Sequence, residues 1–394
     1  MSALESGPVS QRPLHVLTLT PFYPSEKDEA DGCFVSEPVE ALARIGVANT
    51  VFAVQPFYRK KLRALTSAIP VHWLRYFSLP GGVGLPWAGA FLFASIVSRI
   101  RDLKTSGQVD IIHAHGALPC GHATMLLGEE LQIPYVVTVH GLDAFSTRQV
   151  TGRPAEWCRR ISQRVYRSSG RVICISERVR EAVLEATGKG CRTSVVYNGT
   201  NTELFSPEPE LTSEEVTVLS VANLIRIKGH ETLIRAVAAI AADFPKLTLQ
   251  IIGDGPEGPR LRSLAQELGL SDRVQFLGRR SREQVAAAMR RSTVFALPSS
   301  YEGLGCVYLE AMATGKPVIG CRGQGIAEII QHGTNGFLVG PDNERELALA
   351  LSMLLRDEKL RRLLGTTARE TILERLTLAD QAQNLARIFR ETAR

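Results

Sequence analysis

Two carboxylates eight positions apart, Glu302 and Glu310, are the residues best placed to do chemistry in this chain. They stand in Pro298-Ser299-Ser300-Tyr301-Glu302-Gly303-Leu304-Gly305 and, just beyond, Glu310-Ala311-Met312-Ala313. The apolar run Val294–Leu297 before them reads as a buried strand, and the residues after Gly305 read as a helix. Strand, glycine loop and helix turn free backbone N–H groups, and a helix N-terminus, toward an anion. Two acids beside a phosphate would repel it. They make sense if the ligand also carries hydroxyls at both ends, each wanting an acceptor. Eight helical residues rise about 12 Å, an upper figure because Glu302 is expected in the loop. That reach suits a nucleotide sugar: a sugar at one end, a ribose at the other and a diphosphate between.

Other residues fit the same ligand. Val221-Ala222-Asn223-Leu224-Ile225-Arg226-Ile227-Lys228-Gly229 ends a strand and opens a helix. A cation at a helix start opposes the helix dipole and wants an anionic partner, so Lys228 is a candidate for the diphosphate. Gly253 and Gly255, in Ile252-Gly253-Asp254-Gly255-Pro256, permit a tight turn close to ligand. Val137-Thr138-Val139-His140-Gly141 places His140 at a strand's carboxyl end, where an imidazole can donate or accept a hydrogen bond at neutral pH. Gly32 opens the first long helix. His113, His115 and His122 invite a metal reading, but no third ligand has recognisable spacing and no D-x-D stands at a strand end. No metal and no cofactor are expected.

The elements that must position these residues alternate along the whole chain. Strand-like runs fall at His15–Leu19, Thr50–Val54, Val109–His113, Tyr135–Val139, Val172–Ile175 and Ser194–Tyr197. In the second half they fall at Val216–Val221, Leu247–Ile252, Val274–Leu277, Val294–Leu297, Pro317–Ile319 and Gly336–Val339. Short, apolar, β-branched runs between helices predict parallel sheets buried on both faces. The expected fold class is α/β, with two Rossmann-like doubly wound domains facing each other across a cleft. The divisions are residues 1–200, a linker at 201–213 marked by Phe205-Ser206-Pro207-Glu208-Pro209-Glu210, a second domain at 214–377, and a last helix at 378–394.

These motifs together resemble glycosyltransferase family 4, with its E-x7-E signature and GT-B fold, and the resemblance covers most of the chain. It implies a retaining hexosyl transfer from a nucleotide-diphosphate sugar, without metal. Glu302 would lie by the donor sugar and Glu310 would bind the ribose hydroxyls. Lys228 matches the lysine of the family's R-x4-K pair, whereas Asn223 stands where the arginine is expected. Whether Arg226 compensates is left open. Gly32, Gly253, Gly255, Gly303, Leu304 and Gly305 would line the donor site, and His140 would face the sugar from the opposite domain. Gln324 and Glu328 fall in family turns, and Asn198-Gly199-Thr200 in the turn before the hinge. The last helix would cross back to the first domain. The alternatives are a nucleotide-sugar epimerase of the same fold and a catalytically silent sugar-nucleotide-binding subunit. Base, sugar, acceptor and oligomeric state are not readable.

Composition bounds the partners. The chain has 394 residues, 44% hydrophobic and 22% charged, an ordinary globular balance. Seven cysteines without a C-x-x-C pair point to a reduced, cytosolic protein. The first dozen residues lack a hydrophobic core, so no signal peptide is expected, and the run Trp87–Val97 is too short to span a bilayer. Residues 1–200 carry 22 Lys and Arg against 16 Asp and Glu, a charge of +6, whereas residues 201–394 carry 24 of each. Arg59-Lys60-Lys61 with Arg63 forms one basic cluster. Arg153, Arg159, Arg160, Arg164, Arg167 and Arg171 form a second, read as helical. They fit either solvated faces or contact with an anionic acceptor or membrane. The expected partners are a nucleotide-sugar donor and a carbohydrate or lipid-linked acceptor of cell-envelope assembly. Peripheral contact with the inner membrane face is a further expectation. No nucleic-acid-binding motif appears.

Overall fold

A computed structural model describes residues 12–26, 28–60, 62, 67–80, 82, 84–141, 152–188, 190–208 and 216–394. The readings at Lys61, Arg63 and 209–213 lie outside these. The first sheet contains β1 (His15–Thr20), β2 (Ala48–Pro56), β3 (Val71–Tyr76), β4 (Ile111–His115), β5 (Tyr135–Val139), β6 (Arg171–Cys174) and β7 (Thr193–Val195). Its order is β3-β2-β1-β4-β5-β6-β7, all parallel. The second contains β8 (Val216–Val221), β9 (Leu247–Ile252), β10 (Val274–Gly278), β11 (Val294–Ala296), β12 (Val318–Cys321) and β13 (Phe337–Val339). Its order is β10-β9-β8-β11-β12-β13, also parallel. Both chains of strands reverse direction beside the first strand of their sheet, which opens a crevice at the carboxyl ends.

Helices α1 (Cys33–Arg44), α2 (Leu85–Thr105), α3 (His122–Leu131), α4 (Arg153–Ser168) and α5 (Glu177–Thr187) belong to the first half. Helices α6 (His230–Ile240), α7 (Gly258–Glu267), α8 (Arg282–Arg291), α9 (Cys306–Ala313), α10 (Glu344–Arg356), α11 (Glu358–Arg375) and α12 (Leu378–Thr392) belong to the second. The two-residue period of the strands decides which layer each side chain joins. Leu17, Ile112, Val137 and Val172 pack with Leu92 and Ile96 of α2. Their neighbours Val16, Ile111, Val136 and Ile173 face the other way, onto Leu42 of α1 and Leu385 and Phe389 of α12. The last helix therefore completes a layer of the first sheet.

The chain passes between the halves twice, and the two passages run side by side. The Thr200 N–H donates to the Leu376 carbonyl at 2.9 Å, and the Leu378 N–H donates back to Thr200 at 3.3 Å. This close approach explains Gly199, since a Cβ there would stand 2.3 Å from the Thr377 carbonyl oxygen.

Two expectations need correction. Strand β3 was not foreseen, because Val71-His72-Trp73-Leu74-Arg75-Tyr76 mixes polar and apolar residues and is largely half-buried at a sheet edge. Arg171 opens β6 and does not extend the basic helix, which ends at Ser168.

Candidate functional site

The site is assembled where the carboxyl ends of the two sheets meet. β11 leads into the loop that carries Glu302, and β8 leads into the turn that carries Lys228. These residues are 74 apart in sequence, yet Lys228 Nζ donates to Glu302 Oε2 at 2.5 Å, with both side chains mostly buried. The partner a cation at this helix start requires is thus one of the paired acids. An ammonium has three donors, and one is used here. The Glu302 backbone N–H donates to Gln324 Oε1 at 3.0 Å, and its carbonyl accepts from the Gly325 N–H at 3.1 Å, so the loop is anchored on both sides.

The first sheet presses directly on this loop. A Cβ on Gly303 would stand 2.6 Å from the His140 carbonyl oxygen, and Gly141 lies against the same glycine. Across the same seam, Ser176 Oγ donates to the Gly303 carbonyl at 2.6 Å. Glu328 reaches over and accepts the N–H groups of Glu177 and Arg178, both at 2.8 Å, along with the Tyr197 hydroxyl at 3.0 Å. An acid on the first turn of α5 satisfies orphan donors and complements the helix dipole. Glu328 therefore joins the halves beside the glycine loop, a role its place in a turn did not disclose.

His140 is not alone. Its Nε2 lies 2.8 Å from His115 Nδ1, with the rings nearly parallel at 5.1 Å. His113 lies behind His115 with ring centroids 4.3 Å apart and the rings tilted at 44°, and it meets Thr138 Oγ1 at 2.7 Å. Burial pushes His140 and His113 from 6.5 down to about 3, and His115 well down too. The neutral ring still donates from one nitrogen and accepts at the other, but it does not change charge near neutral pH. The His-x-His pair, His113 and His115, is thus the inner part of a contiguous row of three rings in which His115 bonds His140 and His113 bonds Thr138. Among the described residues no three His, Cys, Asp or Glu side chains converge as a metal-binding group.

Glu310 sits on α9 with its side chain buried, and Arg282 of α8 bonds it through Nη1. The other guanidinium nitrogen reaches Glu37 of α1 at 2.5 Å. Arg282 is therefore held between an acid from each half. Burial alone would lower its affinity for a proton, but Glu310 and Glu37 outweigh that and raise it. Burial pushes the Glu37 carboxyl up, against the pull of Arg282. A second pair, Arg279 to Asp28, spans the same seam. Neither Glu37 nor Arg282 was singled out in the sequence, where each reads as an ordinary helix residue.

The remaining candidates divide. Gly32 caps α1 at a φ of 77°, against the backbone of Phe22 and Tyr23. Leu304 is fully buried, and no described residue accepts from the N–H groups of Gly303, Leu304 or Gly305. Gly253 and Gly255 lie against the Ala222 and Leu224 carbonyls, supporting the turn that carries Lys228. Asn223 is exposed on that turn. Arg226 lines a cavity of about 410 Å³ with Arg235, Arg260, Asp342 and Ser300.

With this geometry in place, known proteins bear on the chain directly. Residues 34–204 match the family model described as Glycosyltransferase Family 4, and residues 201–371 match Glycosyl transferases group 1. The chain is 32% identical over 271 residues to an uncharacterized glycosyltransferase of Methanocaldococcus jannaschii, covering 68% of this chain and 72% of that one. The chain belongs to glycosyltransferase family 4. It is also 32% identical over 307 residues to the D-inositol 3-phosphate glycosyltransferase of Corynebacterium glutamicum, covering 73% of each. Its fold matches HepE of Anabaena, solved with UDP-glucose, at a TM-score of 0.73 over 96% of this chain and all of that one, with 22% identity. The two doubly wound sheets of this glycosyltransferase are thus a GT-B fold.

Proposed function

We propose that this glycosyltransferase moves a hexosyl group from a nucleotide-diphosphate sugar to an acceptor with retention of configuration. The observation that carries the reading is the Lys228–Glu302 pair, set on the glycine loop directly against His140 of the other half. In this reading the diphosphate takes the remaining donors of Lys228 and the unengaged N–H groups of Gly303–Gly305. The N-terminus of α9 adds its dipole. Such donors stabilise the charge that grows on the leaving phosphate as the anomeric bond breaks. Glu302 orients a sugar hydroxyl. Glu310 holds the ribose, steadied by Arg282. His140, neutral and fixed by His115, hydrogen-bonds the sugar from the first half. Among the described residues no side chain is assigned as a covalent nucleophile in this reading, so the acceptor attacks the face the diphosphate leaves, and the departing phosphate takes its proton.

The acceptor belongs in the proposal as a lipid-linked or polysaccharide hydroxyl of cell-envelope assembly, supported by the basic first half. The test is a thermal-shift screen over nucleotide-diphosphate sugars, followed by transfer assays with the donor that binds. Proton NMR of the product should show the donor's anomeric configuration. An inverted linkage would defeat same-face attack, and conversion of donor without acceptor would mark an epimerase.

A further inference from the structure

The outer rim of the first domain carries a row of exposed aromatic rings that the transfer site does not use. Phe57, Tyr58, Phe77, Trp87, Phe91 and Trp157 are each 41–49% exposed. They are not scattered. Phe57 stacks on Phe77 at 5.3 Å with an interplanar angle of 8°, Tyr58 meets Phe57 at 6.1 Å, and Phe77 meets Phe91 edge-on at 5.0 Å. Phe91 and Trp87 are one turn apart on α2 and share a face. Trp87 in turn meets Trp157 of α4 at 4.6 Å. The rings therefore form one continuous ridge. Burying none of these rings fully costs hydrophobic stabilisation, and a contiguous apolar patch on a surface marks contact with something else.

The charge on the segment that carries most of the ridge is one-sided, with Asp31 of the preceding loop also within electrostatic reach of Arg59. Between Glu40 and Asp102 the sequence contains no Asp or Glu, while it holds eight Lys and Arg. Arg59, Lys60 and Arg75 are exposed beside Phe57, Tyr58 and Phe77. The acid nearest the far end, Glu156, is taken by Arg159 at 2.5 Å and Arg160 at 2.9 Å. Phe57 directly follows β2 and Phe77 directly follows β3, so this part of the ridge lies at the carboxyl-end rim of the sheet whose β5 leads into His140.

We propose that this ridge docks on an anionic lipid bilayer, with the rings at headgroup depth and the cations on the lipid phosphates. Tyrosine and tryptophan favour that depth because each has an apolar body and a polar tip. Basic residues add attraction to anionic lipid over about a Debye length. A second copy of the chain fits poorly, because a two-fold contact through this patch would set its cations against themselves. Among the described residues no helix is long and apolar enough to cross a membrane, so attachment of this kind would be peripheral. The inference extends the proposed lipid-linked acceptor to the surface that brings the enzyme to it. Its test reads lipid binding and not transfer, so either reading can fail without the other.

The full chain is sedimented with vesicles of phosphatidylcholine alone and of phosphatidylcholine mixed with phosphatidylglycerol, at low and high salt. Partition should be at least about tenfold stronger on the mixed vesicles at low salt and weaken as salt rises. Phe57→Ser with Phe77→Ser and Phe91→Ser should lower it by about tenfold or more. Arg59→Glu with Lys60→Glu should lower it on mixed vesicles only. In the unmodified chain, lipids brominated near the headgroup should quench tryptophan emission, a readout independent of any variant's folding. Equal partition on both vesicle types, absence of quenching, or a dimer dispersed by the Phe→Ser set with no vesicle binding would each overturn the proposal.

Discussion

The two sheets share a strand order and offer the cleft opposite chemistry. At the carboxyl end of the first, His115 and His140 stack as neutral rings, pushed down by burial. At the carboxyl end of the second, Lys228 and Glu302 form an ion pair on a glycine loop. The physical cause is packing. The first sheet buries its histidines among α1, α12 and the strands, where a charge would lack solvation. The second places its charged groups in a turn and a loop that still see solvent. One half is thereby suited to an anionic ligand and the other to its uncharged hydroxyls. The difference also runs through net charge, since residues 1–200, which carry the neutral site, hold all of the chain's excess positive charge.

The largest expected effect comes from breaking the charged half. Lys228→Ala and Glu302→Ala should each lower the transfer rate by about 10²–10³, the usual effect of removing one transition-state donor or its anchor. Far-UV circular dichroism should show the fold kept. Full turnover by Lys228→Ala would remove it from the phosphate role. Glu310→Ala comes next. Losing a charged hydrogen bond of about 1.5–3 kcal/mol should raise the donor KM by about tenfold or more with a smaller change in kcat. A kcat loss at unchanged KM would contradict the ribose assignment.

On the neutral half, His140→Ala should cost about tenfold in transfer, since a neutral bond nets about 0.5–1.5 kcal/mol. His115→Phe keeps the stacking but removes the nitrogen that fixes the His140 tautomer, so a loss of a few-fold is expected. An unchanged rate for His115→Phe would leave His115 a packing residue. The smallest effect sharpens the comparison through pH. Buried His113 and His140 are pushed to about 3 and His230 to about 4, from 6.5. Below pH 6.5 the unfolded chain takes up protons that the folded chain refuses, so stability falls as pH drops toward 4 and is flat above 7. Each group contributes up to about 1.4 kcal/mol per pH unit in that window. Burial pushes down five histidines in the first half, His72, His113, His115, His122 and His140, against one, His230, in the second, so hydrogen exchange at pH 5 should show β4 and β5 losing protection before β8 and β9. Equal loss in both sheets would show that the histidines do not set acid stability.

Much of the fold could be read from the chain because buried parallel strands advertise themselves. Val216–Val221 and Leu247–Ile252 are short runs dominated by Val, Leu and Ile and broken only by Thr217, Ser220, Thr248 and Gln250, and both are strands with those bounds. β3 was hidden because an edge strand has only one neighbour and tolerates Arg75 and His72. Glu302, Glu310 and Lys228 stood out because a glycine loop and a helix start are local patterns. Arg226 could not be resolved that way. Its position on the turn directs it to the cavity with Arg235 and Arg260, and a three-residue offset along the chain carries no direction in space.

By itself, the order of residues determined the alternation of strands and helices, the two-sheet class and the turn, loop and helix that hold a cation and two acids, since each follows from short-range periodicity and backbone geometry. Only the tertiary structure decided which distant groups meet. Arg282 lies between Glu37 and Glu310, Glu328 on the first turn of α5, and His115 against His140. Those contacts join residues 25 to 245 positions apart. They depend on how two sheets pack and where the chain crosses between them, and no local pattern encodes that.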